Sequence, residues 1–174
     1  MKMLCVCLLL CVVTTLTRAA AVPEAAAESN QLAESHLVKR SVYCSGGWSA
    51  FNGRCFRYIP TPMTWAKAER NCQALGGNLA SVHDLSEHLK LQRLITAATY
   101  ANEKTWIGGS DAQEENVFLW SDGTPFRYTS WCSGEPNNHL APQHCIQMNF
   151  GASKCWDDLQ CSYRRPSVCA KRIR

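Results

Sequence analysis

The chain has 174 residues, with 18 lysines and arginines against 14 aspartates and glutamates, which leaves room for one ordinary domain plus short processing segments. Its formal net charge of +4 comes without interleaved aromatics or an amphipathic basic helix. A nucleic-acid or membrane-surface role is therefore disfavoured, and the late cluster Arg164, Arg165, Lys171, Arg172 and Arg174 reads as a solvated edge.

In chain order, Lys2, the apolar stretch 3–16 and the small residues Ala19-Ala20-Ala21 predict a secretory signal over 1–21, hence a secreted, extracellular protein. The run is below the ~20 apolar residues that span a bilayer, and no later stretch comes close, so the chain is not expected to span a membrane. Residues 22–40 are rich in Ala, Glu, Ser and Gln, lack aromatics and cannot bury enough apolar surface to order themselves. They end in the dibasic pair Lys39-Arg40, which predicts a propeptide cut near Ser41; a retained solvated linker is the alternative. The domain proper then covers 41–174.

Eleven cysteines are present, and Cys5, Cys7 and Cys11 fall in the signal. The other eight are Cys44, Cys55, Cys72, Cys132, Cys145, Cys155, Cys161 and Cys169, an even number in an exported domain, which predicts four bridges. Spacing alone leaves about 105 connectivities open. No C-x2-C pair occurs, which argues against structural zinc.

Residues 43–58 alternate aromatic and polar around Asn52-Gly53, a hairpin signal that makes Cys44 and Cys55 natural partners. A helix is predicted over 64–75, with Trp65, Ala68, Cys72 and Leu75 on one face, Thr64 as cap and Gly76 as stop. A second is predicted over 84–98, opened by Asp84 with Glu87 in a capping box and burying Leu85, Leu89, Leu94, Ile95 and Ala98. Short buried strands follow at 105–108 and 117–120, then a turn at Asp122-Gly123. Residues 124–143 are rich in Gly, Pro, Asn and Ser and read as a long functional loop. Strands at 145–150, 154–159 and 168–171 close the chain. Two helices followed by short strands and one long loop predict an α+β domain.

Several ordered motifs of this stretch resemble those of a known family. Trp106-Ile107-Gly108-Gly109 resembles the core strand of C-type-lectin-like domains. So do Trp120-Ser121-Asp122-Gly123-Thr124-Pro125, Trp131, Gly134-Glu135-Pro136-Asn137 and Cys155-Trp156-Asp157-Asp158, and the likeness runs from about Tyr43 to Lys171. Within the family, the short precursor, dibasic site and extra cysteines look most like fish ladderlectin-like lectins and type II antifreeze proteins. The resemblance implies two helices, short antiparallel sheets and a long calcium-binding loop region. It also implies bridges Cys44–Cys55, Cys72–Cys169 and Cys145–Cys161, leaving Cys132 to pair with Cys155.

It implies a Ca2+ site as well. Calcium takes roughly six to eight oxygen ligands, and by position the side chains supplying them are Glu135, Asn137, Gln143, Asp157 and Asp158, with Pro136 cis between the first two. Gln143 stands where the family normally has Glu, and Asp157 where it normally has Asn. The two exchanges cancel in charge and leave three carboxylates, so calcium binding is expected to survive; a decayed site is the alternative. A sugar hydroxyl held at such a site donates to a carboxylate and accepts from an amide. Glu135 with Asn137 forms one such pair and Gln143 with Asp157 the other, the second inverted relative to the mannose-type pattern. A vicinal diol is thus expected to chelate calcium with mannose selectivity weakened or lost. His139 alone in the loop could stack on a sugar. His139 and His144 read otherwise as solvated loop residues, and Trp131 and Trp156 as core.

The expected function is calcium-dependent binding of mannose- or galactose-type glycans in defence or cell-surface recognition. Ice binding on the same fold is the main alternative, and protein binding by a toxin or defence factor a third. Catalysis is not expected: no G-x-S-x-G occurs and the cysteines are taken up in bridges. With all eight paired within the chain, a homo-oligomer would be non-covalent, raising avidity.

Overall fold

The computed structural model describes residues 44–173, and the expected signal and propeptide lie outside the described residues. The first hairpin forms where Asn52-Gly53 puts it. Strands β1 (Ser49–Phe51) and β2 (Arg54–Met63) pair antiparallel, and Asn52 and Gly53 both take left-handed backbone, φ 46° and 71°. Two successive positive φ values are what a two-residue type I′ turn demands, and Asn-Gly accepts them at least cost.

Helix α1 (Trp65–Ala74) buries Ala68 and Cys72 as expected, and also Glu69. Thr64 occupies the cap position, but its side chain caps nothing; the start is held instead by Trp65 N–H donating to the Cys161 carbonyl at 3.0 Å. At the other end Gly76 adopts φ 83°, and the amides of Gly76 and Gly77 close onto the carbonyls of Gln73 and Cys72, the double bond of a Schellman stop. Strand β3 (Asn78–Leu79) follows directly.

Helix α2 (Leu85–Thr99) starts as its cap predicts, with Asp84 accepting from the Glu87 amide at 2.8 Å. Its buried face differs from the expected one. Ile95 is buried as expected, but Leu85 is 58 % and Leu89 38 % exposed and Ala98 is exposed, whereas Glu87, His88 and Leu91 take the buried places. The helix is turned by its polar residues. The Glu87 carboxylate accepts from Arg54 of β2 and from the His83 amide, while His88 Nδ1 accepts from Trp156 Nε1 at 3.1 Å. A hydrophobicity pattern cannot register those attachments.

The rest of the chain builds one sheet: β4 (Thr105–Ser110), β5 (Leu119–Trp120), β6 (Cys145–Phe150), β7 (Cys155–Leu159) and β8 (Arg165–Arg172). The order is β1-β2-β8-β4-β6-β7, with β3 on β8 and β5 on β4. All pairs are antiparallel except β4 with β8. β5 is shorter than expected because Val117 is spent in a turn, its amide bonded to the Glu114 carbonyl. In β4 every residue is buried. A Cβ on Gly108 would sit 2.7 Å from the Leu79 carbonyl oxygen, so only glycine lets these backbones meet. α1 packs over β3, β4 and β8, and α2 over β1 and β2. The four bridges are Cys44–Cys55, Cys72–Cys169, Cys132–Cys155 and Cys145–Cys161.

Candidate metal centre

The long loop is held from below by aromatic rings. Trp156 of β7 is fully buried and stands edge-on to Trp120, Tyr128 and Trp131, with centroids at 5.8, 5.6 and 5.8 Å. Backbone bonds run from the Trp156 amide to the Ser130 carbonyl and from the Cys132 amide back to the Trp156 carbonyl, and Cys132–Cys155 locks the same place covalently. These ties set the loop against β7, which carries Asp157 and Asp158. Trp156 is thus core, as the sequence indicates, and Trp131 packs half-buried against it.

From that anchor the chain turns at Gly134 (φ 89°), and the Glu135–Pro136 bond is cis. Asp158, fully buried, accepts the amides of Asn137 and Asn138 on its two oxygens, each at 3.0 Å. Carboxylate oxygens of Glu135, Asp157 and Asp158 consequently lie within 4.8 Å of one another. Glu135 Oε2 is buried with no hydrogen-bond partner. Burial first, then the two neighbouring carboxylates, push the Glu135 carboxyl up to about 7. Burial also raises Asp157, opposed by its bond from Gln147 and by the charge of Lys104.

The two amides of the expected set sit together on the loop side: Asn137 Oδ1 and Gln143 Oε1 both accept from the His139 amide, at 2.7 and 3.1 Å. Gln143 is hydrogen-bonded to His139 and, through its own amide, to Asn138 Oδ1. A crowd of three carboxylates with one orphaned oxygen is the charge pattern that a cation relieves, and an all-oxygen donor set suits a hard one. On that chemistry the residues present fit calcium.

A profile of the lectin C-type domain matches residues 61–171. The chain belongs to the C-type lectin domain family. Among the members it resembles, the type-2 ice-structuring protein of Brachyopsis segaliensis is 38 % identical, over 97 % of this chain and 98 % of that one. The galactose-specific lectin nattectin of Thalassophryne nattereri is 39 % identical, over 75 % and 81 %. The solved structure of herring type II antifreeze protein superimposes with a TM-score of 0.70 at 40 % identity, covering 75 % of this chain and all of that one. Sequences with sugar-directed and ice-directed names thus share this C-type lectin fold.

Three features of the site escape sequence reading. His144 is not a plain solvated loop residue: its Nδ1 lies 3.0 Å from Asp111 Oδ1 and 3.7 Å from Glu115 Oε2, in a second group of metal-ligating type. Asn138, in left-handed backbone at φ 50°, links the two groups, its amide on Asp158 and its Nδ2 on Glu115. Gln147, 1 % exposed in the middle of β6, contacts Asp157 from behind. In sequence, each is one more polar residue among strands and turns.

Proposed function

We propose that the chain is a secreted, calcium-dependent carbohydrate-binding protein that uses Glu135, Asn137, Gln143, Asp157 and Asp158 to hold Ca2+ and present it to a vicinal diol of a mannose- or galactose-type glycan. The observation that carries this reading is the convergence of three carboxylates, one with an orphaned buried oxygen, where a loop pinned at its base meets β7. Bound calcium would supply a hard point of attachment for two hydroxyl oxygens, and the side-chain amides and carboxylates around it the donors and acceptors that orient them. The inverted order of acid and amide at Gln143 and Asp157, with the likeness to a galactose-specific relative, supports weakened mannose selectivity. The role is recognition at cell surfaces or in defence, by binding rather than catalysis, and non-covalent association of copies would raise avidity.

The test is retention on galactose and mannose resins in calcium. Elution by free sugar and by EDTA, and loss of retention in Asp158→Asn, support the reading; passage through both resins overturns it. A second reading, ice binding, is favoured by the likeness to ice-structuring proteins across nearly the whole chain. Thermal hysteresis at low protein concentration, with and without EDTA, tests it separately.

A further inference from the structure

Asp157 and Gln147 face each other directly across the β6–β7 pair. Gln147 Nε2 donates to Asp157 Oδ2, and behind it Gln147 Oε1 accepts from Arg165 Nε at 2.9 Å. Gln147 and Asp157 are 1 % and 7 % exposed, so water does not arbitrate between them. A guanidinium only donates, which fixes which way round the Gln147 amide stands: oxygen to Arg165, NH2 to position 157. Position 157 therefore meets a donor, and only an acceptor fits there.

We infer that Arg165 and Gln147 form a positioning relay that dictates a carboxylate rather than an amide at position 157, leaving its Oδ1 for the site while Oδ2 is held from behind. The relay gives a physical reason for the aspartate that stands where the family usually has asparagine. In Asp157→Asn the new amide can offer its oxygen to the metal only by aiming its NH2 at the Gln147 NH2. Gln147 cannot turn over to help without presenting that NH2 to Arg165. In Gln147→Glu two carboxylates face each other instead. The double variant, with the same total charge as the native pair, restores a donor facing an acceptor and keeps an acceptor for Arg165. The roles have simply changed strands.

The inference rests on the metal reading for its calcium readout alone, and the experiment separates the two. The full chain and the variants D157N, Q147E and D157N/Q147E are titrated with calcium chloride and melted in EDTA. Partners behind a ligand typically govern metal affinity by about 10–100-fold, so Gln147→Glu loses about that much; Asp157→Asn loses a ligating carboxylate as well, and the double variant binds calcium more tightly than the product of the two single losses allows, though short of the native chain. A double variant whose loss equals the product of the two single losses overturns the relay. If the native chain binds no calcium, the metal reading falls; the relay then stands only if the double variant melts in EDTA above both single variants. Should the charged substitutions not fold, neutral Gln147→Met is expected to weaken calcium about tenfold while Arg165→Lys, which keeps a donor, is not. Equal affinity of Gln147→Met and the native chain overturns the proposal.

Discussion

At Glu135 burial and charge press in the same direction. Its carboxyl, ordinarily ionised well below neutrality, is raised to about 7 in the folded chain. A carboxyl raised on folding favours the folded state below its unfolded pKa, and that contribution is lost as pH rises through the folded value. In EDTA, Glu135→Gln removes this loss, so the gap in melting temperature between the variant and the native chain widens in favour of the variant from pH 5 to pH 8. A gap that stays flat across that range contradicts the burial of Glu135 against Asp157 and Asp158. The same substitution in calcium is expected to cost metal affinity, since one of three carboxylates is gone.

At the scale of elements, helix α2 separates what is written in the sequence from what is not. Its start is legible, because Asp84 and Glu87 have the spacing of a cap and the Glu87 amide donates to Asp84 as that spacing predicts. Its face is not, because Arg54 and Trp156, which turn it, come from two distant places in the chain. Leu91→Ala is therefore expected to lower stability by about 2–5 kcal/mol, as a cavity at a fully buried site does, and Leu89→Ala by only about 0.5 kcal/mol. Chemical denaturation of the two variants checks this, and equal losses would restore the stripe read from periodicity. The hairpin, by contrast, follows from Asn52-Gly53 alone, since few residue pairs accept two positive φ values. In the site, Glu135, Asp157 and Asp158 are visible through their motifs. Asn138 and Gln147 are not, because their roles exist only once loop and strand are brought side by side.

For the molecule as a whole, strong binding to the folded state alone is worth about 2.7 kcal/mol at a ligand concentration a hundred times Kd. A domain of this size responds to such a term with a rise in melting temperature on the order of 10 °C. Calcium at saturating concentration is expected to give that rise, EDTA to reverse it, and magnesium, which demands a tighter octahedron, to give much less. No change with calcium would count against the metal centre while leaving the fold untouched. The bridges have one more effect, visible under attack by a protease. Leu140 stands 91 % exposed at φ 68° on the loop and is the natural point of cleavage. A cut there leaves Cys132–Cys155 and Cys72–Cys169 spanning the break, so both pieces travel together until reduced. Asn137 and Gln143 would lie on opposite sides of that cut. The chain would keep its mass on a non-reducing gel and lose its binding, a damaged protein that size alone does not reveal.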